Sequence, residues 1–227
     1  MELSINRDDI CLYYSKQLNN LFPDSNSITP LIIEKIIDFS LDRLDHCFKH
    51  VKFERYNNKG QTLYNHLYAD HNIIFNWLMA NSAYTLLENI NLASKLYYLN
   101  KAMHSFDCMY DTALPDIFLV FHGEGTMLGK AGYDDFFVSL QGCTVGSHKG
   151  EYPKFGKGVA LTANSSVIGK CQIGNRVSIS TRATVFSKDI PSDNSVYMDW
   201  DSGKIQIKGT KECYAQQFFN IDLSHFV

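Results

Sequence analysis

Residues 155–185 read FGKGVALTANSSVIGKCQIGNRVSISTRATV and carry an apolar side chain at every sixth position. This row consists of Phe155, Leu161, Val167, Ile173, Ile179 and Val185. Neither the two-residue period of a half-buried strand nor the helical period of about 3.6 residues produces such a row. A repeat of six with one inward apolar residue is typical of a parallel β-helix, in which three repeats form one triangular turn.

A second row, four residues further along each repeat, consists of small and medium-sized residues. Its members are Val159, Ser165, Cys171, Val177 and Ala183. Because 45% of the chain is hydrophobic, the first row alone could also arise by chance in an ordinary β-rich domain. The second row favours the repeat, and successive turns are then expected to stack about 4.8 Å apart.

The composition indicates a folded chain without the basic character of a nucleic-acid-binding protein. Its 227 residues include 20% charged residues, and the formal net charge is −3. A hydrophobic fraction of this size can fill a sizeable core, which excludes disorder over most of the length. Without a basic run or a basic–aromatic stripe, nucleic-acid binding is not expected.

Local sequence features indicate a cytoplasmic protein without a membrane span. Glu2, Arg7, Asp8 and Asp9 precede any apolar run that could act as a signal peptide. No run of about 18 apolar residues is present to form a transmembrane helix. The six cysteines are far apart and form no CxxC pair, so neither a metal site nor a disulfide framework is predicted.

The N-terminal half has the spacing of a helical domain. Helices are predicted over residues 6–22, from Pro30 onward with Ser27 or Thr29 as N-cap, over 69–87 and over 91–104. The predicted organisation is a helical domain over residues 1–110, the β-helix over 111–197, and a C-terminal strand with a short helical tail over 198–227. The fold class is therefore α + β.

Two blocks ahead of the repeats carry a family resemblance. They read HGEGTMLGKA at residues 122–131 and LQGCTVG at residues 140–146, and EYPKFGKGV at 151–159 resumes the repeats after a short insertion. With the closing Lys188-Asp-Ile-Pro191, the region over residues 114–197 resembles the hexapeptide-repeat acyltransferases, whose β-helix is left-handed. Within them it looks like the serine acetyltransferase branch.

The resemblance implies an acetyl-CoA-dependent O-acetyltransferase with His122 as general base. A neutral imidazole can remove the proton of an acceptor hydroxyl while that hydroxyl attacks the thioester carbonyl. Such a base contributes about 10²–10⁴-fold in rate. Because a thioester is already activated, direct transfer without a covalent enzyme intermediate and without a metal is expected.

The sequence offers further candidate site residues, some of which depart from the family's pattern. Asp116, six residues before His122, is predicted to support the catalytic histidine, within one chain or from a neighbouring subunit, although serine acetyltransferases place their supporting aspartate further upstream. Glu124, Gln141, His148 and Tyr152 are the candidates for binding the acceptor. Tyr152 stands where serine acetyltransferases carry a second histidine, associated with the amino-acid carboxylate. A tyrosine suits a sugar hydroxyl better than a carboxylate, although Tyr152 could also be a packing residue of the loop.

Acetyl-CoA is expected to lie along the groove between adjacent β-helices. The matching positions are Gly146, Thr162, Ala163, Ser180 and Thr181, with Arg182 or Lys188 available for the phosphates. Because this groove is formed between subunits, the resemblance implies a homotrimer or a dimer of trimers.

The preferred hypothesis for the acceptor is a sugar hydroxyl of a surface polysaccharide or its precursor. The alternative is a serine O-acetyltransferase of cysteine biosynthesis, and N-acyl transfer to an amino sugar also remains open. A non-enzymatic, trimerising β-helix with a decayed site is a further alternative, against which the intact block around His122 argues.

Overall fold

The computed structural model describes residues 1–226, which form two compact units. The first unit contains Met1–Lys49 and Phe53–Asp111. The second contains His50–Lys52 and the chain from Thr112 onward. We call them the helical unit and the β-helix unit.

Four helices and a small sheet make up the helical unit. The helices are α1 (Arg7–Leu21), α2 (Pro30–Lys49), α3 (Ala69–Leu87) and α4 (Ile90–His104), and the strands are β1 (Glu2–Leu3), β2 (Asn57–Asn58) and β3 (Gln61–Tyr64). The helical spacing thus predicted every helix, whereas the sheet of order β1-β3-β2 was not expected. Strands of two to four residues carry too few positions for a recognisable period.

Helix α3 lies at the centre of the helical unit. Nearly every side chain from Asp70 to Ala83 is buried, so this helix is covered on all sides rather than on one face. Side-chain caps fix the starts of two other helices, because Asn6 accepts from the Asp9 amide and Asn89 accepts from the Leu92 amide.

The β-helix unit has about four turns and three faces, and each face is a sheet of parallel strands. Face A contains β4 (Phe118–Val120), β6 (Phe137–Ser139), β9 (Ala160–Leu161), β12 (Ser178–Ile179) and β14 (Asn194–Asp199). Face B contains β5 (Met127–Leu128), β7 (Thr144–Gly146), β10 (Ser166–Ile168) and β13 (Thr184–Phe186). Face C contains β8 (Lys154–Phe155) and β11 (Gln172–Ile173).

The hexapeptide rows line the interior as predicted. The six residues of the first row are at most 5% exposed, and those of the second row are fully buried. Parallel pairing joins Ala160 to Ser178 and Val167 to Val185, each eighteen residues apart. Three six-residue sides therefore complete one turn, which confirms the predicted fold.

Two segments depart from the regular turn. Thr144 pairs with Ser166, so this turn has four extra residues, and they form a small hairpin in which His148 and Glu151 exchange backbone hydrogen bonds of 3.0 Å. At the C-terminal end β14 continues to Asp199, two residues beyond the predicted end of the β-helix at residue 197, and pairs antiparallel with β15 (Lys204–Gly209). The predicted helical tail is the 3₁₀ segment Tyr214–Gln217.

Within the described residues 1–226, no helix is long and apolar enough to cross a bilayer. All six cysteines are buried in the two cores.

The inward row predicts where the β-helix is most sensitive to truncation. Ile179 is fully buried on face A, whereas Gln172 on face C is exposed. We expect Ile179→Ala to lower the free energy of unfolding of the β-helix unit by about 2–5 kcal/mol, because it leaves a cavity. Gln172→Ala, the matched control, should change it by less than about 0.5 kcal/mol. Urea unfolding followed by circular dichroism measures both, and equal effects would contradict the assigned interior.

Candidate active site

The chain leaves face A for face B at a corner that we call the first corner. In the second, third and fourth turns the same short connection spans this corner. In the first turn the paired residues are Val120 with Ser139 and Met127 with Thr144. The connection from Val120 to Met127 is therefore two residues longer than the one from Ser139 to Thr144.

His122 lies within this widened connection. On one side of His122, the Phe121 amide donates to the Ser139 carbonyl at 2.9 Å, as in the regular hydrogen-bond ladder. On the other side, the ladder resumes where the Gly142 amide donates to the Glu124 carbonyl at 2.9 Å. The extra length therefore falls at His122 and the glycine after it. His122 is exposed and has a φ of 52°, in the left-handed region. The widening thus displays an imidazole at the edge of the β-helix.

Aromatic side chains support the base of this loop. The Phe121 and His122 ring centroids are 4.3 Å apart, and the Phe121 and Phe218 ring centroids are 5.4 Å apart. Beyond the loop, the Thr126 hydroxyl donates to the Leu140 carbonyl at 2.8 Å. Both ends of the widened connection are therefore held.

Most residues predicted to hold the cofactor stack at the same corner. Ladder hydrogen bonds place Leu140, Thr162 and Ser180 in successive turns beyond Phe121. Their neighbours Gln141, Ala163 and Thr181 follow, with Arg182 at the turn itself. The Thr162 hydroxyl donates to the Ile179 carbonyl at 3.1 Å and lies 3.2 Å from the Thr181 hydroxyl. At about 4.8 Å a turn, Thr162 is roughly 10 Å and Ser180 roughly 14 Å along the stack from His122.

A cleft of about 320 Å³ opens on the outer side of this stack. One wall consists of the hydroxyl-bearing residues Thr162, Ser178, Ser180 and Ser195, and the other of Glu212, Cys213, Tyr214 and Gln217. The Tyr214 amide donates to the Ser178 hydroxyl at 2.8 Å, which fastens the second wall to face A. This wall was not predicted from the sequence, because the tail lies outside the repeat and has no periodic pattern.

The remaining predicted residues lie at a second corner, where face B passes to face C. Gly146 ends β7 there and leads into the small hairpin, which carries His148 and the 45%-exposed Tyr152. The His148 ring packs edge-on against Phe186, with centroids 4.7 Å apart. Lys188 is exposed on the same corner two turns on. Within one chain, face B separates these residues from His122.

Asp116 and His122 lie at opposite ends of β4. The backbone from Ile117 to Phe121 is extended and spans about 13 Å. At the Asp116 end of this segment, the Ile117 amide donates to the Asp135 carboxylate at 3.1 Å. Within one chain, β4 therefore separates Asp116 from His122, and support of the histidine by Asp116, which a neighbouring subunit could supply, stays a prediction.

Glu124 and Gln141 both have exposed side chains near His122, and their backbone carbonyl oxygens accept hydrogen bonds from the amides of the next turn.

Across residues 1–226, no three His, Cys, Asp or Glu side chains converge in an arrangement that could hold a metal ion.

The turn glycines offer a test of the stacked first corner. Gly142 has a φ of 67°, and a Cβ there would overlap the Asn164 side chain of the next turn, whereas Gly150 in the hairpin has a φ of 79° and open space around it. We expect Gly150→Ala to cost about 1 kcal/mol of unfolding free energy from its φ alone. Gly142→Ala should cost more, and adding Asn164→Gly should remove the excess. An unchanged excess in the double variant, measured by urea unfolding, would contradict the stacking.

The chain is similar in structure to several solved proteins. No family model and no curated protein sequence matches the chain. The serine acetyltransferase of Brucella abortus strain S19 is similar at 18% identity and a TM-score of 0.66, over 91% of this chain and 84% of that one. The Neisseria gonorrhoeae serine acetyltransferase is 17% identical, with a TM-score of 0.67 over 92% of this chain and 81% of that one. A serine acetyltransferase solved in complex with CoA is 17% identical, with a TM-score of 0.67 over 90% of this chain and 85% of that one. The chain therefore has the fold of the serine acetyltransferases, with helices followed by a parallel β-helix.

Proposed function

We propose that this protein is an acetyl-CoA-dependent O-acetyltransferase with His122 as its general base. The observation that carries the proposal is the two-residue widening of the first corner. It displays an imidazole on the same edge as the hydroxyl-lined stack and its cleft. An exposed loop held by a rigid scaffold is a common location for functional residues.

The acyl donor would lie along the first corner, parallel to the axis of the β-helix. Its thioester would face His122, and its pantetheine arm would run past Thr162 toward Ser180, roughly 10–14 Å away along the stack. Backbone and hydroxyl groups there can bind the amides of the arm, and exposed Arg182 can bind phosphate. One similar structure is a complex with CoA, which supports this class of ligand.

The reaction then follows from the position of the base. His122 takes the proton of the acceptor hydroxyl as its oxygen attacks the thioester carbonyl carbon. The tetrahedral intermediate collapses as the carbon–sulfur bond breaks, and the proton passes to the departing CoA thiolate. The products are the acetyl ester and CoA with a free thiol.

L-Serine is the acceptor that the comparisons support, because the similar structures are serine acetyltransferases. The sugar hydroxyl preferred from the sequence remains the second candidate. The observation in its favour is Tyr152, which stands in place of a carboxylate-associated histidine and is 45% exposed directly after the hairpin. A tyrosine hydroxyl pairs readily with a sugar hydroxyl and carries no charge for a carboxylate at neutral pH.

A homotrimer would bring the two corners together. His122 and the hydroxyl stack are on the first corner of a chain, and His148, Tyr152 and Lys188 are on its second. A site that needs both groups would be completed when the second corner of one copy faces the first corner of its neighbour. Threefold symmetry closes such a head-to-tail contact.

Release of free thiol from acetyl-CoA, with L-serine as acceptor, tests the activity. We expect His122→Ala to lower kcat/KM by about 10²–10⁴-fold, because the proton acceptor is lost. His225→Ala is the matched control, since that histidine is 81% exposed in the tail and should be neutral.

Two results would separate the parts of this proposal. Thiol release with a polysaccharide-precursor sugar but not with L-serine would support the second acceptor. Full activity of His122→Ala with every acceptor would contradict the assignment of the base.

The ring contacts beneath the loop generate a second prediction. Phe218→Ala removes the ring that supports Phe121, so the His122 imidazole should lose its position. We expect kcat to fall on the order of tenfold to a hundredfold. Phe218→Tyr should restore kcat, and Phe226→Ala, whose ring packs on Phe136 instead, should leave it unchanged. A fall in kcat of equal size in Phe226→Ala would indicate a general loss of packing.

A further inference from the structure

We infer that a cavity in the helical unit is a binding site for an aromatic α-amino acid. The cavity has a volume of about 450 Å³, within the range of small-molecule sites. The lining residues on which the inference rests are Glu2, Arg55, Tyr64, Asn65, Tyr68 and His71. All belong to the helical unit, and none belongs to the site proposed above.

Aromatic rings surround His71 at the inner side of this cavity. His71 is 1% exposed, and the centroids of Phe48, Tyr56, Tyr64 and Tyr68 lie 4.9, 4.6, 6.4 and 4.7 Å from its own. Burial lowers the pKa of His71 to about 3, so its ring is neutral at physiological pH. Of these rings, Tyr64 and Tyr68 line the cavity and offer surfaces against which a planar side chain can pack.

One hydrogen-bond donor of His71 is unused. The Asn65 amide donates to Nδ1 at 3.1 Å, which places the proton of the neutral ring on Nε2. Nε2 is buried and has no hydrogen-bond partner among the described residues. A buried donor without an acceptor is unfavourable, so an oxygen atom of a ligand would stabilise this side chain. The Tyr64 hydroxyl is already engaged, since it donates to Asn72 at 2.8 Å.

The exposed rim of the cavity carries one charge of each sign. The Arg55 guanidinium lies over the Tyr68 ring at 5.8 Å from its centroid, and Glu2 is exposed at the start of β1. Neither side chain forms an ion pair with another described residue. A guanidinium binds carboxylate through paired N–H groups, and a carboxylate binds ammonium. A zwitterion satisfies both.

These features select different parts of one ligand. Arg55 would bind its α-carboxylate, Glu2 its α-ammonium group, and the rings its planar side chain. The Nε2–H of His71 would donate to an oxygen carried by that side chain. L-Tyrosine has all four groups, whereas L-phenylalanine lacks the oxygen and tyramine lacks the carboxylate.

Calorimetric titration of the full chain with these three compounds tests the inference. We expect saturable binding of L-tyrosine, about five- to tenfold weaker binding of L-phenylalanine, and weaker binding still of tyramine. Arg55→Gln should remove the preference for L-tyrosine over tyramine. Lys59→Gln, in the exposed turn between β2 and β3, is the matched control and should keep it.

A second measurement avoids a variant at the buried histidine, which could fail to fold. The ring ¹⁵N resonances of His71 in the wild-type protein should shift with L-tyrosine and less with L-phenylalanine. Absence of saturable binding of all three compounds at millimolar concentration would overturn the inference, as would equal preferences in the wild type and Arg55→Gln. Because binding is measured without acetyl transfer, these outcomes are independent of the function proposed for His122.

Discussion

The parallel hydrogen-bond ladder of the β-helix determines where every other feature of that unit lies. The regular turns repeat after eighteen residues, and the ladder aligns each strand residue with its equivalents in the turns above and below it. The buried rows maintain this register, because a slip of one residue would turn inward side chains outward. A local change in length therefore cannot spread along the stack and must appear at a corner. The loop of His122 and the small hairpin are two such changes, at two different corners.

Because of this constraint, the structural residues lie on the faces of the β-helix and the candidate reactive residues lie at its corners. The faces consist of short strands with buried aliphatic residues, and the corners carry the exposed imidazole, hydroxyls and cations. Rigid strands beneath a corner hold its side chains at fixed spacing, which a loop in an open sheet would not provide. The tail adds a wall to the cleft through the contact of Tyr214 with Ser178. The proposed transferase site is thus built from regular turns and from two irregular segments placed against them.

The sequence predicted what is local or periodic. The hexapeptide rows and the four helices are patterns within short windows, and the block around His122 was found by resemblance. The widening at His122 could not be read from the chain, because it exists only relative to the pairing of β4 with β6 and of β5 with β7. The position of Asp116 relative to His122 could not be predicted either, because it depends on the six residues between them running along one extended side of the β-helix. The rings around His71 come from three separate segments, and no single window contains them.

The hairpin of β14 and β15 has a consequence for the solution behaviour of the β-helix. A parallel stack ends in a strand with unpaired amides and carbonyls, which can accept a strand from another molecule. Here β15 reverses direction and occupies the edge of β14 along six residues, with Lys204 and Lys208 exposed on it. A second chain arriving end-on would meet an antiparallel strand and two positive charges instead of the next parallel rung. In this position the hairpin would act as a terminal cap against end-to-end association through face A.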